Sequence, residues 1–239
     1  MKLDLLAINA HPDDAELSCS GLLVKSVHQG KLVGICDLTQ GELGTRGTVE
    51  TRYAESASAS EIMGTQYRKN LKLRDGFFKI DEETTLKVIA EIRKTRPTII
   101  LTNAIDDRHP DHGRAAQLVK EACFLSGLSQ IKTVDANGHP QEAFRPKHVF
   151  HYIQDRWLTP TFVIDITDVM ETKLQAIQAY ATQFYTPNFT GPKTYISTPY
   201  FLEGIVARAS AHGKLINVQY GEAYISANPP GIANVFDLL

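Results

Sequence analysis

Residues 3–10 are almost all apolar, broken by Asp4 and Asn9, and so short and dense a run predicts a buried β-strand. Over residues 14–29 the apolar positions change period: Leu17, Leu23, Val24 and Val27 fall at helical spacing, and Gly30 stops them. Residues 31–38, with Leu32, Val33 and Ile35, predict a second strand, and 48–63 an alanine- and serine-rich helix ended by Gly64. A short strand over 70–74 precedes an amphipathic helix over 82–95, marked by Leu86, Ile89 and Ile92 and broken at Arg96-Pro97. Residues 98–102 are strongly β-branched and predict a central strand. The order βαβαβαβ implies a parallel sheet with right-handed crossovers.

Past residue 113 the pattern loosens. Ala115, Val119, Ala122 and Cys123 mark one helix face, and 129–146, carrying Gly138, Pro140 and Pro146, predicts a long loop. Strands are expected at 148–153, 162–166 and 220–225. Helices are expected at 168–181 (Met170, Leu174, Ile177, Ala181) and 200–212 (Phe201, Ile205, Ala209), with a loop at 182–199 and a hydrophobic tail. The expectation is one α/β domain spanning 1–239, Rossmann-like, with a largely parallel sheet and helices on both faces. Its core covers about 1–128 and a C-terminal elaboration about 129–239.

Composition narrows the class. The chain of 239 residues is 43% hydrophobic and 22% charged, ordinary for a globular protein. A net charge of -2, with basic residues spread along the chain, gives no case for nucleic acid or an anionic membrane surface. No apolar run approaches the roughly 20 residues of a membrane span. Cys19, Cys36 and Cys123 are odd in number and lie in apolar surroundings, which points to reduced thiols and a cytoplasmic protein; none has metal-ligand spacing to another.

The chemistry concentrates in two turns. His11-Pro12-Asp13-Asp14 follows the first strand and opens a helix, where one Asp alone reads as a cap. Two adjacent acids and a histidine exceed what capping requires. About a hundred residues later, Asn103 to Gly113 repeats the grammar of strand, polar loop, His-Pro-Asp and helix, placing His109, Asp111 and His112 after the 98–102 strand. In open α/β sheets ligands collect beyond the C-terminal strand ends, so both turns can meet there. Three protein ligands and an open position are the usual catalytic zinc arrangement. His11 and Asp14 can supply two ligands, and either His109 or His112 the third. Asp111 fits a hydrogen bond to an imidazole as well as a helix cap. Three glycines, Gly41, Gly44 and Gly47, mark a loop where backbone bends tightly or approaches a ligand. There is no dinucleotide fingerprint.

Ala10 to Glu16 together with His109-Pro110-Asp111-His112, the loop from Gly41 to Gly47, and Arg52 resemble the zinc-dependent LmbE / PIG-L deacetylases over nearly the whole chain. The resemblance implies His11, Asp14 and His112 as ligands of Zn2+ or Fe2+, Asp13 as general base and His109, protonated, facing the oxyanion. Gln183-Phe184-Tyr185, residues 204–208 and Tyr220 to Ala223 are similar to the bacillithiol-pathway branch, which implies an N-acetylglucosaminyl malate substrate. An acidic sugar conjugate calls for cationic groups in the pocket. Arg52 and Asp75 are the expected contacts, with Arg46, Arg108 and Lys193 behind them. The resemblance further implies a homo-oligomer such as a hexamer. Other readings are a deacetylase of diacetylchitobiose or another N-acetyl sugar, and a metal-free sugar- or nucleotide-binding α/β protein.

Overall fold

A computed structural model describes residues 2–187 and 190–238; Asn188 and Phe189, within the expected 182–199 loop, lie outside it. The sheet has seven strands: β1 (Leu5–Asn9), β2 (Val33–Thr39), β3 (Tyr67–Leu73), β4 (Ile99–Thr102), β5 (His148–Tyr152), β6 (Phe162–Asp165) and β7 (Gly221–Ser226). Their order across the sheet is β3-β2-β1-β4-β5-β7-β6. The first five run parallel, and β7 is antiparallel to both neighbours. The expected largely parallel α/β sheet is therefore what the chain forms.

Helices α1 (Asp14–Ser18), α2 (Ser20–His28), α3 (Val49–Met63), α4 (Glu82–Thr95), α5 (Pro110–Leu125), α6 (Met170–Gln178) and α7 (Pro199–Lys214) cover it. Alternation along β1 separates two cores. Leu5 and Ala7 face the side covered by α1–α3, α6 and α7, with Met63, Ile177 and Ile205. Leu6 and Ile8 face Val88 and Ile92 of α4 and Leu118 and Val119 of α5. Each fully buried Leu or Ile contributes about 1.5–3 kcal/mol, so this two-sided burial fixes the register of β1.

Three differences from the sequence reading have local causes. The helix expected over 14–29 breaks at Cys19, whose φ of -137° leaves the helical region. The first N–H groups of α2, from Gly21 and Leu22, donate to the Glu222 carboxylate at 2.8 Å each. α3 buries a mixed stripe, polar at Arg52 and Ser56 and apolar at Ala59 and Met63, which is why its sequence shows little amphipathicity. The 129–146 loop is tied down by Arg93, buried, which donates to the Ser126, Leu128 and Ile131 carbonyls and to Thr133. Strand order reverses between β1 and β4, and crevices at such switch points bind ligands.

Candidate active site

The turn after β1 enters α1 with Asp13 at φ 108°, a left-handed conformation that costs a non-glycine residue roughly 1–3 kcal/mol. Asp13 occupies the N-cap position, yet its carboxylate makes no capping hydrogen bond. It accepts instead from Arg52 Nη1 at 3.1 Å. Arg52 also donates to the Pro12 carbonyl at 2.7 Å and to Gln183 Oε1 at 2.6 Å. A Cβ on Gly41 or Gly44 would lie 3.2 or 3.1 Å from that guanidinium, so these glycines make room for Arg52 rather than for a ligand. Burial pushes the Asp13 carboxyl up to about 7 against the pull of Arg52, with Asp14 adding to the rise.

Asp14 sits between two histidines. Its Oδ2 lies 3.5 Å from His11 Nδ1 and its Oδ1 3.2 Å from His112 Nε2. Oδ2 accepts from the His11 backbone N–H and from Asn103 Nδ2, both at 3.0 Å, and Oδ1 from Gln154 Nε2 at 2.6 Å. On its far side, His11 Nε2 is 3.0 Å from Asp75 and 3.3 Å from Asp111. His112 Nδ1 is 2.5 Å from Asp107. His109 completes the group, its ring centroid 4.6 Å from that of His11 and 5.2 Å from that of His112. Nitrogens of His11, His109 and His112 lie within 4.8 Å of one another, as do donor atoms of His11, Asp75 and Asp111.

The charges of these groups depend on one another. Burial opposes charge on His11 and on Asp14, yet each holds the other ionised: Asp111, Asp14 and Asp75 keep the imidazole well above its ordinary value, and His112 and His11 keep the carboxyl well below. Burial likewise opposes charge on His112, which Asp14 and Asp107 raise to about 9. Imidazole and carboxylate donors suit Zn2+ or Fe2+.

The second turn differs from expectation in one respect. The His109 ring caps α5, its Nδ1 accepting the Asp111 N–H at 3.2 Å, while the Asp111 carboxylate pairs with Arg114 and accepts the Gly76 N–H at 2.8 Å. Burial, then His11 and His112, push the His109 pKa down. An Nδ1 that accepts an N–H leaves the ring's hydrogen for Nε2.

A cavity of about 350 Å³ opens over these groups. Of the expected substrate contacts, Arg108 stands at its mouth, half exposed, its guanidinium 4.4 Å from the Tyr195 ring centroid. Asp75 lines the cavity, but its oxygens are engaged by His11 and by the Leu43 N–H at 3.0 Å. Arg52 is held against Asp13, and Arg46 is buried beside the Gln183 carbonyl. Asn103, Asp107 and Gln154 escaped the sequence reading, and Gln183 and Arg208 entered it only within stretches of family similarity, with no role assigned. Asn103 and Asp107 lie within the second polar loop, where their acid and amide side chains were the available signal. Gln154 carries no local motif.

Fold and site together define a class: an α/β protein with a His/Asp, cation-ready pocket at the C-terminal ends of parallel strands. A family model described as GlcNAc-PI de-N-acetylase, PIG-L, matches residues 6–123. Diacetylchitobiose deacetylase of Thermococcus kodakarensis is 30% identical over 194 residues, covering 75% of this chain and 70% of that protein. A probable N-acetyl-alpha-D-glucosaminyl L-malate deacetylase 2 of Bacillus anthracis is 24% identical over 202 residues, 76% of this chain and 82% of the relative. The crystal structure of a conserved protein from Thermus thermophilus superposes with a TM-score of 0.85 at 33% identity, over 98% of both chains. The chain belongs to the PIG-L (LmbE) family of deacetylases.

Proposed function

We propose that the protein is a metal-dependent N-deacetylase of an N-acetylglucosamine conjugate, and that the conjugate is acidic, as in N-acetylglucosaminyl malate. The observation that carries the reading is the convergence of His11, Asp14 and His112 beside a second buried acid, Asp13, that Arg52 holds in place. His11, Asp14 and His112 would hold Zn2+ or Fe2+. Such a cation, when bound, supplies Lewis acidity, acidifying water and polarising the acetamide carbonyl.

The remaining work falls to side chains. Asp13, with a pKa near 7, can take a proton from the attacking water and return it to the departing amine. Arg52 keeps its carboxylate in place. The Nε2–H of neutral His109 is a donor for the developing oxyanion, and a neutral donor needs no change of charge to serve. Asp111 and Asp75 orient the His11 ring.

The acidic substrate is supported by the mouth, where the Arg108 guanidinium faces the Asp155 carboxylate and the Arg208 guanidinium the Asp155 backbone carbonyl, and by the printed activity of the Bacillus anthracis relative. The identity to the Thermococcus relative favours diacetylchitobiose as the second reading. Acetate release from N-acetylglucosaminyl malate, diacetylchitobiose and free N-acetylglucosamine separates them. A clear preference for the malate conjugate is expected; equal rates on all three would defeat the acidic reading.

A further inference from the structure

Asp107 lies in the loop between β4 and α5, buried, and both its oxygens are spoken for. Oδ2 faces His112 Nδ1 at 2.5 Å. Oδ1 accepts two consecutive backbone N–H groups, from Asp155 at 2.9 Å and Arg156 at 2.8 Å, in the segment that follows β5. That segment carries the mouth of the cavity. The Tyr195 hydroxyl donates to Asp155 Oδ1 at 3.0 Å, Arg108 Nε lies 3.4 Å from Oδ2, and Arg208 Nη2 donates to the Asp155 carbonyl at 2.8 Å.

We propose that Asp107 is a positioning residue with two jobs: it holds the His112 ring so that Nε2 faces Asp14, and it pins the 155–156 backbone so that the mouth sits at a fixed distance from that ring. The physics of the first job is directional. A carboxylate oxygen can only accept, so the hydrogen between it and His112 belongs to Nδ1, and the Nε2 lone pair is left for a cation. An amide at the same place presents NH2 or carbonyl. With its carbonyl retained by the two backbone donors, it turns an N–H toward Nδ1, reverses the tautomer and places a hydrogen on Nε2, where the lone pair is needed. The second job is steric and survives that exchange, because an amide carbonyl still accepts from Asp155 and Arg156.

The inference rests on the proposed metal role of His112 and separates the two jobs by substitution. Apo protein is titrated with Zn2+ against a chromophoric chelator, and kcat and KM are measured on the preferred acetylated substrate. Asp107→Asn is expected to weaken Zn2+ binding roughly 10- to 100-fold and to lower kcat with KM nearly unchanged. Asp107→Ala is expected to weaken it at least as much and also to raise KM, because the mouth is no longer pinned. In a His112→Ala background, Asp107→Asn should add no further loss of affinity. Thermal unfolding of each apo variant confirms that it is folded; if the alanine variant is not, the isosteric asparagine decides the first job by itself. A folded Asp107→Asn protein that binds Zn2+ as tightly as the unsubstituted chain overturns the inference and leaves the metal reading standing. An unsubstituted chain that binds no Zn2+ overturns both.

Discussion

At the scale of single residues, adjacent acids of one type take different roles because their partners differ. Asp14 has its oxygens distributed among His11, His112, Asn103 and Gln154, and the two imidazoles, His112 first, hold its carboxyl well below the usual range. Asp13 has one cationic partner, Arg52, and a strained backbone, and burial moves its pKa toward neutrality. A base that titrates near the working pH transfers protons most effectively. Replacing Asp13 by Asn keeps the shape and tolerates φ > 0 but removes the proton acceptor. We expect Asp13→Asn to retain bound metal, measured by elemental analysis, and to lose roughly 10²- to 10⁴-fold in kcat. Near-normal acetate release would move the base elsewhere. The turn that carries both acids was legible in the sequence, since two acids and a histidine exceed a cap. The roles of Arg52 and Asp75 were not: their residue types suit a sugar pocket equally well, and only the fold shows Arg52 on Asp13 and Asp75 on His11.

At the scale of elements, periodicity located all seven strands and the helices between them, and missed the break inside the first helix. The break at Cys19 is invisible locally, because Glu222, which receives the first N–H groups of α2, lies about two hundred residues away. Glu222 also pairs with Lys173 at 2.8 Å and accepts from the Tyr224 hydroxyl at 2.9 Å, so β7, α6 and α2 are held at one buried point. Next to it, α7 buries His212, its ring tilted 32° against that of Trp157 with centroids 4.8 Å apart, and its Nε2 has no hydrogen-bond partner among the described residues. Burial, reinforced by Arg208 and opposed by Glu222, lowers its pKa to about 4, against about 6.5 in the unfolded chain. Between those values the unfolded state binds the extra proton. The contribution of neutral His212 is therefore complete above pH 6.5 and is lost as pH falls toward 4. His212→Phe, which cannot titrate, is expected to flatten the fall of Tm between about pH 6.5 and 4; an unchanged slope would mean that other groups govern acid unfolding.

At the scale of the whole molecule, the site exists because strand order reverses between β1 and β4, bringing together turns a hundred residues apart. The βαβ order of the first half made that reversal a reasonable expectation. The position of β7 between β5 and β6 was not readable, because antiparallel additions at a sheet edge leave no mark on apolar spacing. Assembling the site gathers Asp13, Asp14, Asp75, Asp107 and Asp111 around three imidazoles, with Arg52 and Arg114 as the guanidinium partners. Folding alone thus concentrates negative charge that a divalent cation can offset, and the energy of binding becomes energy of folding. A ligand that binds only the folded chain stabilises it by about 2.7 kcal/mol at a hundred times its Kd. For a chain of this size that is a rise in Tm of roughly 5–11 °C, at about 2–4 °C per kcal/mol. Stripping the protein with a chelator should lower Tm by about that amount, and Zn2+ should restore it. His112→Ala, which removes an expected ligand, should abolish the Zn2+-dependent rise while leaving the circular dichroism of the α/β fold in place. If Zn2+ shifts the unsubstituted chain and the alanine variant alike, the cation binds elsewhere and His112 is not one of its ligands.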